Sequence, residues 1–207
     1  MKKKKFIVFE GIDGSGKSTQ LRLLAERLKA ANLKVYTTAE PTGGPVGSVI
    51  RNIFNHRIEA DEKVIAGLFV ADRLDHLLNK VNGILKKTEE GFIVISDRYY
   101  FSSFAYHSSY MPMDWVIEAN SMSAGLLKAD ATIFIDIEPG IGMERLKGNR
   151  DNIELYENLE NLKRVRELYF KAFDKLKDIE NIIIVNGNQS PELLAEEIWN
   201  KISGIFK

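Results

Sequence analysis

The stretch from residue 6 to residue 19 restricts the fold more than any other part of the chain. Four apolar residues, 6–9, lead through Glu10 into a glycine-containing loop, and the residues after the loop have helical spacing. This order predicts a strand, a phosphate-binding loop and a helix. Every fixed position of the pattern G-x-x-x-x-G-K-[ST] is occupied, by Gly11, Gly16, Lys17 and Ser18.

The chemistry of this loop predicts which groups would contact a nucleotide. Glycine reaches positive φ without strain, so successive backbone N–H groups can face phosphate oxygens, and the helix N-terminus adds partial positive charge. Lys17 would reach the β- and γ-phosphates, and the Ser18 hydroxyl would join the shell of Mg²⁺. An ordinary glycine-rich turn would explain Gly14 and Gly16 but not the Lys-Ser pair. The predicted nucleotide-binding residues are Gly11, Asp13, Gly14, Ser15, Gly16, Lys17, Ser18 and Thr19.

The rest of the chain alternates between short strands and helices. Strands are predicted at 6–9, 35–38, 92–95, 131–135 and 182–185; the last three are continuous apolar runs, typical of parallel strands buried on both faces. Helical spacing is predicted at 19–31, 61–87, 114–127, 140–146, 159–177 and 191–205. This alternation predicts an α/β fold, a doubly wound five-stranded parallel sheet flanked by helices. Ligands of such sheets bind at the carboxyl ends of the strands.

Length and composition narrow the class of protein. The 207 residues fit a single domain, 1–207, with the polar segment 147–154 as a short mobile lid. The 29 basic and 29 acidic residues cancel, which argues against binding of nucleic acid. With no cysteine and three histidines, a metal other than phosphate-bound Mg²⁺ is not expected.

The N-terminal residues predict where the protein is found. Lysines 2–5 resemble the start of a signal peptide, but the apolar run that follows is too short for one. No segment reaches membrane-spanning length. We therefore expect a cytoplasmic protein that does not bind membranes.

The longest predicted helix, 61–87, carries an apolar stripe at steps of three and four residues. Such a stripe is expected to face either the core or a second copy of the chain. Its members are Val64, Leu68, Ala71, Leu74, Leu78, Val81 and Leu85.

Charged and aromatic residues near strand ends and on this helix are candidates for chemistry. Asp97 follows the buried strand 92–95, where a carboxylate can meet Mg²⁺, and Arg98 beside it offers a forked cation for phosphate. Asp136 ends another strand and ranks second as a metal ligand, because no phosphate-binding residue follows it. Phe69 and Arg73 share one helix face, so that one could stack on a base and the other hydrogen-bond its edge. The spacing alone fits equally a Phe69 in the core and an Arg73 in a solvated ion pair.

Taken together, these positions resemble the thymidylate kinases over residues 6–169. The most specific piece is 97–106, where Asp-Arg-Tyr is followed by Ser and then by Ala-Tyr. The phosphate-binding loop, the Glu-Pro-Thr of 40–42, Arg51 and the segment 69–73 also match. Three positions differ from the family pattern: Ala39 stands where many relatives have Arg, His107 where many have Gln, and 151–154 lacks the lid arginine.

The resemblance implies transfer of a phosphate from ATP to dTMP, with Mg²⁺, by an enzyme that is commonly a homodimer. It implies catalytic roles for Lys17, Asp97 and Arg98 and a metal site at Ser18 and Asp97. Because the lid arginine of the family is missing, we expect Arg150, two positions before Asn152, to replace it as a catalytic cation, with Arg145 as the alternative. The implied dTMP site has Asp13 on the sugar, Arg51 and Arg98 on the phosphate, Phe69 stacked on thymine, Arg73 bonded to it, Ser102 nearby and Tyr106 against C2′.

Two other functions stay open at this point. A nucleoside kinase or a broader deoxynucleotide kinase would share the fold but would not place Arg51 and Arg98 on an acceptor phosphate. A switch protein would hydrolyse NTP slowly and use the long helix to bind a protein partner.

Overall fold

The computed structural model describes residues 5–147, Tyr156 and residues 158–206. Within these residues, five strands form one sheet in which all neighbours are parallel, in the order β2-β3-β1-β4-β5. The predicted doubly wound α/β fold is confirmed. The strands are β1 (Lys5–Glu10), β2 (Val35–Ala39), β3 (Ile93–Asp97), β4 (Ala131–Asp136) and β5 (Ile182–Asn186).

Helices join the strands and cover both faces of the sheet. Two short 3₁₀ turns, His107–Ser109 and Ser203–Phe206, each follow directly on an α-helix. The helices are α1 (Lys17–Ala30), α2 (Pro45–Phe54), α3 (Glu62–Leu78), α4 (Ile84–Glu89), α5 (Tyr100–Tyr106), α6 (Met113–Ala119), α7 (Ser121–Leu126), α8 (Pro139–Lys147), α9 (Leu159–Leu176) and α10 (Pro191–Ile202). In the part of the chain described, no helix is long and apolar enough to cross a membrane.

Each face of the sheet carries its own hydrophobic core. Along β1, Phe6 and Val8 enter the core under α5 and α9, whereas Ile7 and Phe9 enter the core under α1 and α10. Burial on both sides explains the uninterrupted apolar run of this strand. β5 differs from the expectation for a strand buried on both faces, because it lies at the sheet edge and Ile184 is 45% exposed.

The prediction of one helix over 61–87 is wrong. α3 ends at Leu78, and α4 begins only at Ile84. The side-chain oxygen of Asn79 accepts hydrogen bonds from the backbone N–H groups of Val81 (3.0 Å) and Asn82 (3.4 Å), which competes with continued helix. The three- and four-residue spacing of apolar residues continues across this turn, so the sequence pattern did not indicate that the helix ends there.

The predicted apolar stripe of α3 lies mostly outside the core, although Leu68 is packed against a buried cluster. Val64 and Leu78 are about half exposed, and Ala71 between them is exposed as well. The helix instead buries a mixed face that includes three polar side chains. Its buried residues are Ile65, Ala66, Phe69, Asp72, Arg73, His76 and Leu77.

The helix predicted over 114–127 is divided at Asn120 into α6 and α7. Asn120 is almost fully buried, its amide donates to the Val116 carbonyl (2.8 Å), and its side-chain oxygen accepts from Arg73. The break therefore positions an acceptor for a buried guanidinium.

Candidate active site

The loop between β1 and α1 has the backbone that its glycines predicted. Gly11, Gly14 and Gly16 have φ values of 149°, 78° and 97°. At Gly14 a Cβ would also lie only 2.3 Å from the carbonyl oxygen of Gly142 on α8, so a side chain has no space there. This loop lines a cavity of about 640 Å³, the P-loop cavity. All the predicted nucleotide-binding residues except Gly11 are among its lining residues.

Lys17 is the first residue of α1, and its side chain folds back into this loop. Its Nζ donates to the carbonyl oxygens of Gly11 and Ile12, both at 3.0 Å. Burial, together with the positive charge of Arg98, lowers the pKa of Lys17. The ammonium therefore lies within the loop, at the edge of the P-loop cavity, and an anionic phosphate there would favour its charged form.

Ser18 and Asp97 come together at the far end of the loop. The Ser18 hydroxyl donates to Asp97 Oδ2 at 2.6 Å. Asp97 reaches this point because it ends β3 opposite Phe9 of β1, one strand away from the loop. The sequence had predicted both residues as Mg²⁺ ligands, and the structure places their oxygens side by side.

Asp136, the second-ranked candidate for the metal, is engaged elsewhere. Arg166 of α9 binds its carboxylate with two hydrogen bonds, Nε to Oδ1 at 2.7 Å and Nη2 to Oδ2 at 2.9 Å. The Arg166 guanidinium also lies 3.2 Å from Glu138. This paired geometry assigns Asp136 to the packing of α9 on β4.

A second cavity, of about 240 Å³, opens beside the P-loop cavity. We call it the aromatic cavity because Phe54, Phe69, Tyr106 and Tyr156 contribute to its lining. Six of the seven residues predicted for dTMP lie there, from α2, α3, α5 and the loops before α1 and α5. They are Asp13, Arg51, Phe69, Arg98, Ser102 and Tyr106.

Arg98 is held at the inner end of the aromatic cavity. Its guanidinium pairs with Asp13 and donates to Ser102 Oγ at 3.0 Å. The Tyr106 hydroxyl donates to the other oxygen of Asp13 at 2.8 Å. Although burial opposes its charge, the Asp13 carboxylate holds the pKa of Arg98 well above its usual range. The Arg98 backbone has φ of 73°, a strained value for a non-glycine residue, as is common at functional sites.

Asp13 and Arg98 line both cavities. The P-loop cavity and the aromatic cavity therefore meet at an ion pair, with phosphate-binding backbone on one side and aromatic rings on the other. Two molecules bound in the two cavities would therefore be adjacent at this ion pair.

Arg51 faces the aromatic cavity from α2. Its guanidinium donates to the carbonyl oxygens of Pro41 (3.2 Å) and Thr42 and to Ser48 Oγ at 3.0 Å. Asp72 of α3 holds the same loop by accepting from the Thr42 backbone N–H at 2.7 Å and from its hydroxyl at 2.6 Å. The loop after β2 thus fixes a cation at the cavity mouth.

Arg73 is the one predicted dTMP residue that the structure does not bring to the cavity lining. It is fully buried, and all five of its N–H groups have protein partners. Nε and Nη2 meet Glu40 at 2.8 and 2.7 Å, and the other donors reach Ser103, Asn120 and the Tyr99 carbonyl. A bond to thymine stays a prediction, and it would require Arg73 to exchange one of these partners.

Several lining residues lacked a role in the sequence analysis. No sequence motif included Phe54, Asn55 or Tyr156. Ser103 belongs to the segment 97–106, but no role was predicted for it. His107 had been noted only as a departure from the family. Burial lowers the pKa of His107 to about 3, so this ring is neutral near pH 7. Its centroid lies 5.2 Å from that of Phe69.

Of the predicted lid, 147–154, only residue 147 is among the described residues. Arg150 and the rest of the segment 148–154 lie outside the described residues, so the role predicted for Arg150 stays a prediction. Arg145, the alternative, extends from α8 into the P-loop cavity. It donates to the carbonyl oxygens of Gly187 (3.1 Å) and Gly14 (3.5 Å).

The fold and these two cavities define a P-loop protein in which the P-loop cavity adjoins a second, aromatic cavity. The family model described as thymidylate kinase matches residues 9–198. A probable thymidylate kinase of Pyrobaculum aerophilum is 34% identical over 203 residues, which span 98% of each chain. The chain belongs to the thymidylate kinase family, and it is therefore a nucleoside monophosphate kinase, as the sequence predicted.

Other relatives have the same description. The thymidylate kinase of Thermomicrobium roseum is 32% identical over 206 residues, which span 98% of this chain and 96% of that protein. A probable thymidylate kinase of Caldivirga maquilingensis is 41% identical over 169 residues, 80% of this chain and 79% of its own. The similarity therefore extends through the P-loop and the aromatic cavity alike.

Proposed function

We propose that this chain transfers the γ-phosphoryl group of ATP to dTMP, giving ADP and dTDP. The observation that carries this proposal is the meeting of the two cavities at Asp13 and Arg98. ATP would lie in the P-loop cavity and dTMP in the aromatic cavity, with the two phosphates facing each other at that ion pair. Membership of the thymidylate kinase family supports dTMP as the acceptor.

The reaction needs positioning more than covalent help from the protein. A phosphate oxygen of dTMP attacks the γ-phosphorus and forms a new P–O bond, while the bond from that phosphorus to the bridging oxygen of ADP breaks and leaves its electron pair there. The attacking oxygen is anionic near neutral pH, so no general base is required. Lys17 would stabilise the charge on the donor phosphates, and Arg98 would hold the acceptor oxygen in line.

Mg²⁺ fits the pair of oxygens at the end of the loop. Ser18 and Asp97 offer a hydroxyl and a carboxylate 2.6 Å apart, the hard oxygen ligands that this ion prefers. The described residues contain no group of three or more His, Cys, Asp or Glu side chains that could hold a metal, so nucleotide phosphates would complete its shell. When bound, Mg²⁺ would neutralise charge on the β- and γ-phosphates.

The aromatic cavity has the chemistry of a nucleoside monophosphate site. Phe69 offers a ring for thymine to stack on, and neutral His107 beside it keeps that end of the cavity uncharged. Arg51 and Arg98 supply cations for the phosphate, at the mouth and at the inner end. Tyr106 would pack against C2′ of the sugar, its hydroxyl held by Asp13.

One assay tests the proposed function against its two rivals. The protein is incubated with ATP and Mg²⁺ and, in turn, with dTMP, dUMP, other monophosphates, thymidine and no acceptor. We expect ADP formation to be fastest with dTMP. Faster ADP formation with thymidine than with dTMP would indicate a nucleoside kinase. Release of free phosphate at the same rate with and without an acceptor would indicate a switch protein.

Replacing Tyr106 should weaken discrimination between deoxyribose and ribose. Tyr106→Ala removes the ring expected against C2′, so a 2′-hydroxyl would enter without steric or desolvation cost, and the ratio of kcat/KM for dTMP over TMP should fall by about 10-fold or more. Tyr110→Ala is the matched control, because Tyr110 is half exposed and outside the cavity lining. An unchanged ratio in a folded Tyr106→Ala protein would assign Tyr106 to packing alone.

We further propose that two copies of the chain associate through the exposed stripe of α3. Val64, Ala71 and Leu78 are exposed on one side of this helix. Met122 and Leu126 of α7, a helix that packs on α3, add two more exposed apolar side chains. Exposed apolar residues that recur along a helix are typical of an interface between copies.

The dimer can be tested by placing a charge in this stripe. Leu78→Glu should raise the dissociation constant of the dimer by about 10-fold or more, because a carboxylate would lose its water at the interface. Ile179→Glu, at an equally exposed apolar residue outside the stripe, should leave the constant unchanged. Sedimentation over a range of concentrations measures both. A wild-type protein that stays monomeric at all concentrations would contradict the proposal.

A further inference from the structure

Glu10, the last residue of β1, is a fully buried carboxylate outside the residues assigned so far. Four hydrogen bonds satisfy it. Oε1 accepts from the backbone N–H groups of Tyr99 (2.9 Å) and Ser102 (3.2 Å), and Oε2 accepts from the hydroxyls of Ser102 (2.6 Å) and Tyr169 (2.8 Å). A buried carboxylate is costly unless its oxygens are paired in this way. The four bonds therefore fix three elements, β1, α5 and α9, relative to one another.

Two of these bonds cap α5 from another strand. The first N–H groups of a helix have no partner within it, and Tyr99, at the N-cap of α5, provides no side-chain cap. Glu10 accepts from the N–H of Tyr99 and shares the N–H of Ser102 with the Tyr99 carbonyl oxygen, 3.2 Å away, and its carboxylate lies at the positive end of the helix. Because Arg98 directly precedes this turn and Tyr106 ends the helix, the position of α5 determines where both side chains point.

The other bonds reach Arg98 through Ser102. Arg98 Nη1 donates to Ser102 Oγ at 3.0 Å, and the Ser102 hydroxyl donates in turn to Glu10. The Tyr169 hydroxyl lies 2.9 Å from the same Ser102 oxygen, and it also donates a hydrogen bond to Glu10. The guanidinium is thus held by Asp13 on one side and, through Ser102, by Glu10 on the other.

We propose that Glu10 and Tyr169 are positioning residues for phosphoryl transfer, acting through Ser102 to hold Arg98 and Tyr106 at the junction of the two cavities. This inference rests on the proposed function. Neither residue is among those described as lining either cavity, so each acts through Ser102 and α5 rather than on substrate. The position of Glu10, directly before the phosphate-binding loop, means that one residue ties the donor loop to the acceptor site.

Tyr169→Phe tests the proposal with little change in volume. It removes one hydroxyl from the Glu10–Ser102 cluster. Tyr99→Phe is the matched control, because the Tyr99 hydroxyl is also buried but donates to the carbonyl oxygens of Leu127 (3.0 Å) and Ser123 (3.3 Å), away from the cavities. Each variant loses a hydroxyl that has two hydrogen-bond partners, and only the Tyr169 hydroxyl contacts Ser102.

We expect Tyr169→Phe to lower kcat/KM for dTMP by about 5- to 10-fold while leaving the KM for ATP unchanged, since a misplaced arginine affects the acceptor and the transition state. Tyr99→Phe should lower the thermal midpoint by a similar amount without this kinetic change. Glu10→Gln leaves one acceptor oxygen for four donors, so it should lower kcat/KM for dTMP more than Tyr169→Phe does. If that variant does not fold, Tyr169→Phe alone decides the result.

A double-mutant cycle separates positioning from general stability. If Tyr169 acts through Ser102, then Ser102→Ala and Tyr169→Phe should be non-additive in kcat/KM for dTMP, the double variant being close to Ser102→Ala alone. Additive effects, or equal kinetic losses in Tyr169→Phe and Tyr99→Phe, would overturn the inference. The same assay of the wild-type protein tests the proposed function separately: absence of dTMP phosphorylation there would refute that function.

Discussion

Lys17→Ala is expected to remove nearly all phosphoryl transfer from a protein that still folds. The Lys17 ammonium lies within the phosphate-binding loop, where it contacts two carbonyl oxygens and lines the P-loop cavity. Charge that develops on the donor phosphates during transfer would be stabilised there, and loss of one such preorganised donor typically lowers kcat by about 10²- to 10³-fold. We expect a loss at least this large, because a full positive charge is removed.

Folding should tolerate the change because burial of the ammonium works against its charged form, as the lowered pKa of Lys17 shows. Circular dichroism and the thermal midpoint check this. Lys29→Ala, on an exposed position of the same helix, is the control and should retain full turnover. Near-native turnover by a folded Lys17→Ala protein would contradict the assignment of the donor site.

The phosphate-binding loop could be predicted in detail because its chemistry is local. Eight consecutive residues contain the glycines, the lysine and the serine, and the flanking patterns define strand and helix. Even the partner of Ser18 could be anticipated: Asp97 ends a buried parallel strand, and parallel strands bring their carboxyl ends to one edge.

The interior of α3 could not be predicted in the same way. Apolar periodicity assumes that the apolar face is the buried one, whereas here Asp72, Arg73 and His76 are buried because Thr42 and Glu40 satisfy them. Those partners lie 30 or more residues away in sequence, so a local pattern does not include them. The apolar stripe that the sequence indicated lies mainly on the exposed side of α3, and for this reason we propose it as an interface between two copies of the chain.

The aromatic cavity is an intermediate case. Its residues come from six separate segments between Asp13 and Tyr156, and the sequence indicated most of the predicted ones through resemblance to a family rather than through spacing. Resemblance cannot specify on which side of a cavity wall a side chain lies. Arg73 illustrates this, because helical spacing correctly placed it on the face of Phe69, yet its guanidinium is directed to Glu40 and Ser103.

Arg98→Ala is expected to have the second large effect, on the acceptor side. Arg98 lines both cavities and is fixed by Asp13 and Ser102. At that junction its forked guanidinium would contact the dTMP phosphate and the transferring phosphoryl group together, and an arginine on that group contributes on the order of 10³-fold to turnover. Because the contact would strengthen as the transition state forms, kcat should fall as well as kcat/KM for dTMP.

Arg98→Lys distinguishes charge from geometry. Lysine keeps the positive charge, but its ammonium has no planar fork with which to hold Asp13, Ser102 and a phosphate in fixed directions, so it should recover only a small part of the lost turnover. Arg27→Ala is the control, since Arg27 pairs with Glu196 and lies over the Trp199 ring, outside both nucleotide cavities. Steady-state kinetics with dTMP and ATP varied in turn measure the effects. If Arg98→Ala raises only the KM for dTMP and leaves kcat intact, Arg98 binds the substrate but takes no part in the transfer step.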